Sequence, residues 1–260
     1  ERWQEALALK LASGDPMGTP LVMASLGQLA QKQGDLPGAR ARYEEALAFA
    51  RAQGDEPCTA MALDHLGLLA AEEGDPGRAR ALCEEALAIR RRRDSLSGVS
   101  DSLLSLSRLA VARGSHEEAA RLLRERVEVA RETTSRRGLA DALTGLADHL
   151  VAGPEPGAAL TPYVEALEIR VLLGDTMAAG SLLARVAEME ARRGEYEAAA
   201  RLAGASSRCT GEAEPSGPAL EAARTRLGSE RFRRALADGE GMGPQEALFY
   251  VRSRTHPDPG

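Results

Sequence analysis

The sequence predicts an all-α fold: stacked helical hairpins in a solenoid of about 40-residue repeats, closed by a C-terminal helical cap. Three observations predict it. First, shifting the chain by 40 residues lays Leu26-Gly27, Ala30, Gly34-Asp35, Ala39 and Tyr43-Glu44-Glu45-Ala46-Leu47 on Leu66-Gly67, Ala70, Gly74-Asp75, Ala79 and Cys83-Glu84-Glu85-Ala86-Leu87. Leu106, Ala110, Gly114, Ala119 and Leu123 continue the series, then Leu146, Ala159, Tyr163 and Ala166, then Val186, Gly194 and Ala199. Second, Gly14, Gly34, Gly54, Gly74, Gly114, Gly174 and Gly194 stand on one ladder with a 20-residue step. Third, Ala, Leu, Arg and Glu dominate while aromatics are only 3%, which favours helices over strands. Self-similarity at this spacing is the mark of a repeat array in which each hairpin buries its apolar face against neighbours.

One unit shows the local logic. In Met61 to Ile89, Leu63, Leu66, Leu69 and Ala70 form an apolar stripe at helical spacing. Gly74 follows, where a helix ends in a left-handed residue. Asp75 suits the N-cap of the next helix and Pro76 its first position. Ala79, Leu82, Cys83, Ala86 and Leu87 form the second stripe.

Leu-Gly, then Ala, Gly-Asp, Ala and Tyr-Glu-Glu-Ala-Leu resembles the tetratricopeptide repeat (TPR), with a period longer than the usual ~34 residues. The longer form, with Ala46 to Asp55 closing a repeat, is similar to repeats of large bacterial LuxR-type and antibiotic-regulator-type signal-transduction ATPases (STAND regulators). Arg201 to Ala205, Arg226-Leu227-Gly228, Phe232, Ala235, Gly239 and Gln245-Glu246-Ala247 resemble the tail that closes the repeat region there. The resemblance covers nearly the whole chain. It implies a right-handed superhelix whose first helices line a concave side, and an ATPase module elsewhere in a parent chain.

The elements follow in order. Residues 1–12 read as the second helix of a repeat whose first helix is missing, with Trp3 at the Tyr43 position. Repeats span 17–53, 57–92, 96–132, 138–173 and 177–207, so the array covers 1–208. Arg126 stands where Ala46, Ala86 and Ala166 stand, so either it snorkels to water or the helices spread there. Pro162 lies inside a helix expected from Gly157, which demands a late start or a kink. Arg126, Thr134 and Pro162 make 123–162 the least regular stretch. Thr210 to Pro218 reads as a loop. Capping helices fill 209–254, at Ala219 to Leu227, Glu230 to Ala237 and Pro244 to Arg252. Leu220, Phe232, Leu236, Leu248, Phe249 and Val251 would cover the last apolar face, and 255–260 reads as a disordered tail.

Composition excludes several classes. A net charge of −6 gives no basic field to draw nucleic acid. Only Lys10 and Lys32 are lysines, which suggests a high-GC genome. Three cysteines without paired spacing argue against disulfides or zinc. No apolar run nears ~20 residues, so no membrane partner is expected, and the localisation expected is cytoplasmic. The chain starts at Glu1 without Met and reads as a fragment of something larger.

Chemical motifs are sparse. There is no P-loop, and Gly239, Gly241 and Gly243 follow no strand. His65, His116, His149 and His256 lack partners at ligand spacing, so no metal and no cofactor are expected. Arg90 to Arg93 is the one basic run; it reads as a solvated helix end rather than a DNA contact, given Glu84 and Glu85 nearby. Cys83, at the Tyr43 position, reads as a buried thiol.

What remains is surface. On the first helices, helical spacing turns Gln28, Asp64, Leu68, Asp101, Leu104, Arg108, Asp141 and Asp148 to the groove, and these positions vary between repeats while core positions agree. They mix apolar residues with mostly acidic charges, so a basic or amphipathic peptide segment, or a small effector, is the expected ligand. Arg108 is expected to pair with acidic positions when the groove is empty. The function expected is a non-enzymatic interaction or effector-sensing module of a bacterial transcriptional or signalling regulator. The alternatives are a free-standing scaffold or adaptor, and an enzyme with its site in the groove or cap.

Overall fold

The computed structural model describes residues 18–153, 156–211 and 217–255. The half repeat expected at 1–12, part of the loop after Thr210, and residues 256–260 lie outside them. Among the described residues there are thirteen α-helices and no strand. They are α1 (Thr19–Lys32), α2 (Leu36–Gln53), α3 (Glu56–Glu72), α4 (Pro76–Arg92), α5 (Leu96–Ala112), α6 (His116–Glu132) and α7 (Arg136–Ala152). A 3₁₀ turn at Pro156–Ala159 leads into α8 (Leu160–Leu172). Then come α9 (Thr176–Arg192), α10 (Tyr196–Thr210), α11 (Pro218–Leu227), α12 (Ser229–Glu240) and α13 (Pro244–Thr255). The chain divides into two compact units, Glu1–Glu132 and Thr133–Gly260, and the boundary falls inside the stretch of weakest repeat pattern.

The turns between helices are built as the repeat demands. Asp35, Asp55 and Asp75 each accept an N–H of the following first turn, from Gly38, Cys58 and Arg78, at 2.9, 3.0 and 2.9 Å. Such a cap satisfies one of the orphan donors at a helix start. Before each Asp the chain turns left-handed; Gly34, Gly54 and Gly74 have φ of 81°, 67° and 84°. Asp94 occupies the same rung and is forced to φ 51° without glycine's freedom.

In the first unit, α1–α2, α3–α4 and α5–α6 pair as hairpins, and α2 packs on α3 and α4 on α5. Ala39, Tyr43, Ala46, Ala79, Cys83, Ala86, Leu63, Leu103 and Leu106 are buried between them. Leu82, expected in the core stripe, is only half-buried. Small residues at the Ala positions let helices approach closely, so the fold is set by where the Ala residues fall. Arg126 breaks that rule without reaching water: it is buried, and its Nε donates to Ser100 Oγ at 3.2 Å.

The same hairpin recurs in the second unit as α7–α8 and α9–α10, with α12 packed on α10. Pro162 falls in the first turn of α8, because the 3₁₀ turn delays that helix to Leu160. The crossing of α10 with α12 needs glycine: a Cβ on Gly239 would lie 1.8 Å from the Arg201 carbonyl oxygen. The last helix runs through Thr255, one residue into the expected tail, and returns to α8 and α9. Ala247 and Val251 are buried there, but Phe249, expected in the cap core, is 75% exposed.

Candidate functional site

The first helices of the hairpins carry the expected partner face, and each unit presents its own part. In the first unit the face comes from α1, α3 and α5. Gln28 is exposed, and its amide nitrogen donates to His65 Nε2 at 3.3 Å. His65 stacks on Tyr43 with ring centroids 5.0 Å apart. Burial, helped by the Arg90 charge, lowers the His65 pKa to about 4, so the ring is neutral and can accept. Tyr43 Oη donates to Gln31 Oε1 at 2.9 Å, and Gln31 Nε2 donates to Glu72 at 2.7 Å. Burial, and then the Glu72 charge, pushes the Tyr43 phenol up to about 12.

Asp64 does not belong to this face. It is 6% exposed and forms an ion pair with Arg90 of α4. Arg90 also donates to Ser102 of α5, whose hydroxyl lies 3.2 Å from Asp64 Oδ2. Burial raises the Asp64 pKa, against the pull of Arg90 and Ser102. The expectation of a solvated Arg90 to Arg93 run is corrected at its first residue, which is buried. The other three are exposed but paired: Arg91 with Glu125, and Arg92 and Arg93 with Glu56. The arginine run at the end of α4 is therefore used up in ion pairs, within its own hairpin to Asp64 and Glu56 and across to the next at Glu125.

Leu68 is half-buried against the core of α3 to α6, and Leu104 is half-buried on α5. Asp101 and Arg108, two turns apart on α5, are both exposed. Neither has an ion pair among the described residues, so the expected pairing of Arg108 with acidic positions does not occur. On the same helix Val111 is 45% exposed, and on α1 Leu21, at the position of Asp101, is 55% exposed; Leu29, 41% exposed, stands at the position that Leu69 and Leu109 bury, off this face. No other large hydrophobic side chain of the first unit's described residues is exposed to that degree.

In the second unit, Asp148 accepts from Tyr163 Oη at 2.6 Å and pairs with Arg185. Burial first, then Asp148, raises the Tyr163 phenol. Asp148, Tyr163 and Arg185 stand 120 residues after Gln28, Tyr43 and His65, so one positional trio recurs in both units with different side chains. Asp141 pairs with Arg170, which also donates to Asp175 at 2.9 Å. Arg170 stands 80 residues after Arg90 and is buried like it. The acidic character expected of this face is thus largely neutralised: Asp64 is buried, and Asp141 and Asp148 are each held by an arginine. These pairings were hidden in the sequence because each partner lies 26 to 37 residues away. The signal that could have found them is the paired recurrence of Arg90 and Arg170.

The second helices present a different surface. Arg40–Glu73, Arg51–Glu85, Arg78–Glu44 and Arg80–Glu118 join successive hairpins, so many charges on that side already have partners. Among the described residues no group of three His, Cys, Asp or Glu side chains is placed to hold a metal. No helix there is long and apolar enough to cross a membrane.

Comparison with known proteins agrees with this geometry. No curated protein matches the sequence. Among solved structures, the chain is similar to a Signal Transduction ATPase with Numerous Domains (STAND) protein with a tetratricopeptide repeat sensor from Pyrococcus horikoshii. The TM-score is 0.67 at 13% identity, over 99% of this chain and 38% of that one. It is similar to BtubC (BKLC) from P. vanneervenii, with a TM-score of 0.62 at 18% identity, over 86% of this chain and 95% of that one. A third likeness is to kinesin light chain nearly identical TPR-like repeats of Podosopora anserina, with a TM-score of 0.52 at 20% identity, over 78% and 98% of the two chains. At these identities the likeness shows the fold, an all-α helical repeat. The profile of the MalT-like TPR region matches residues 1–144, more than half of the sequence, and the chain belongs to that family.

Proposed function

We propose that this chain is a non-enzymatic, partner-binding or effector-sensing module of a bacterial regulator, with its binding face on the first helices of the repeats. One observation carries the reading. In the first unit Leu21 and Val111 are exposed on first helices, and Val111 shares α5 with Asp101 and Arg108, neither of which forms an ion pair among the described residues. Repeat surfaces that bind extended or helical segments combine apolar pockets with such free charges. Because the acidic residues are mostly compensated, an amphipathic segment fits better than a strongly basic one. The likeness to a STAND protein with a TPR sensor supports a parent chain in which binding biases an ATPase. A free-standing scaffold is the second reading, favoured by the 95% of the BtubC chain that this chain covers.

The test compares the wild type with Leu104→Arg plus Arg108→Glu in capture of partners by the full parent protein. Loss of a partner with an unchanged melt supports the face. Equal recovery of every partner contradicts it. Measuring parent-chain ATPase activity in the same variants separates the regulator from the scaffold.

A further inference from the structure

A cleft of about 360 Å³ opens between α4 and α6, on the second-helix side. That volume falls within the range of small-molecule sites. Its floor is apolar, from Leu103, Leu106 and Leu109 of α5 with Leu87 and Leu122. By helical spacing, these α5 residues lie across the helix from Asp101, Leu104 and Arg108, so the cleft is separate from the proposed partner face.

The rim carries Arg80, Arg91, Arg113 and Arg121 against Glu84, Glu118 and Glu125. The preceding repeat supplies an internal comparison. Forty residues earlier the same positions hold Arg40, Arg51, Glu73, Ala81, Glu44, Arg78 and Glu85. There three arginines meet three glutamates, in the pairs Arg40–Glu73, Arg51–Glu85 and Arg78–Glu44. At the cleft Arg80 is held by Glu84 and Glu118, Arg113 shares Glu118, and Arg91 pairs with Glu125. Arg121 replaces Ala81, is exposed, and has no ion pair among the described residues. The second interface therefore keeps one uncompensated cation beside a leucine floor.

We propose that this cleft binds a small amphiphilic anion, its apolar chain laid over the leucines and its carboxylate or similar head group taken by Arg121. A guanidinium suits a carboxylate because its fork of N–H donors matches the two oxygens. The apolar chain supplies the burial that a lone surface ion pair lacks.

Isothermal titration of the whole chain with decanoate below its micellar concentration tests this. The variants are Arg121→Ala, which removes the free charge, and Ala88→Phe, which fills the cleft from an exposed lining position. The expected result is a saturable one-to-one isotherm, weakened about tenfold or more in each variant, with both melts unchanged. Decyl maltoside, which carries no charge, should bind the wild type more weakly than decanoate. No saturable heat with the wild type, or equal affinity in the wild type and Ala88→Phe, overturns the site. Weakening by Ala88→Phe alone overturns the anionic assignment.

Discussion

Asp64 shows how a residue read as a surface contact becomes a structural one. Its carboxylate meets a guanidinium from the next helix and a hydroxyl from the helix after, so three elements share one buried charge pair. Removing one partner of such a pair strands the other. Asp64→Ala should therefore cost about 3–5 kcal/mol in denaturant unfolding, and Asp64→Ala combined with Arg90→Met should recover part of that loss. Asp94 works in the opposite sense. It holds a left-handed turn that Gly54 and Gly74 hold freely, so Asp94→Gly should stabilise by up to about 1 kcal/mol, read as a rise in Tm. His65 gives a pH signature. Its folded pKa of about 4 lies below the ordinary 6.5, so the unfolded chain takes the proton first. The stability it contributes is present above pH 6.5 and is lost as pH falls through that window towards 4. Asp64, with a raised pKa, acts in the other direction. Comparing wild type with His65→Gln across that range isolates the histidine: the wild type should lose on the order of 2–3 kcal/mol more than the variant. Parallel curves would contradict a desolvated, neutral His65.

Helices and hairpins were legible in the sequence because their signals are local. Gly-Asp turns, Pro at the start of α4 and the small-residue stripe all act within a turn or two of themselves. Pro162 was legible as a conflict and resolved as a late helix start, since a 3₁₀ turn needs only four residues to absorb it. Burial of Arg126 and Arg90 was not legible, because their partners come from neighbouring helices and neither residue type announces burial. Phe249 faces solvent while Ala247 and Val251 are buried, and α13 is held by ion pairs as well as by apolar contact. Arg252 pairs with Glu168, and Arg254 pairs with Glu195 and with Glu190, which is only 1% exposed. Arg254→Ala leaves Glu190 with Arg193 alone, so a loss of about 1–3 kcal/mol is expected. Hydrogen exchange should quicken selectively in α13, and uniform quickening throughout the chain would contradict its role as a charge-held closing helix.

At the scale of the molecule, repetition both reveals and conceals. The core repeats, so the fold could be read by shifting the chain against itself. The binding face varies, so it could be located only by subtracting the core, and that subtraction misassigned Asp64. It also overstated the acidity of Asp141 and Asp148, whose neutralising arginines belong to other helices. What survives, in the first unit, is a first-helix face with Leu21 and Val111 exposed and with Asp101 and Arg108 outside any ion pair among the described residues, distinct from the second-helix side, where ion pairs link successive hairpins. The central claim is that a partner engages the first of these. A photo-crosslinking side chain placed at Leu104 on α5, and separately at Glu44 on α2, tests it in cells making the full parent protein. The account predicts a discrete adduct from position 104 and none from 44. An adduct from position 44 with none from 104 would place the partner on the other side of the repeats and contradict it.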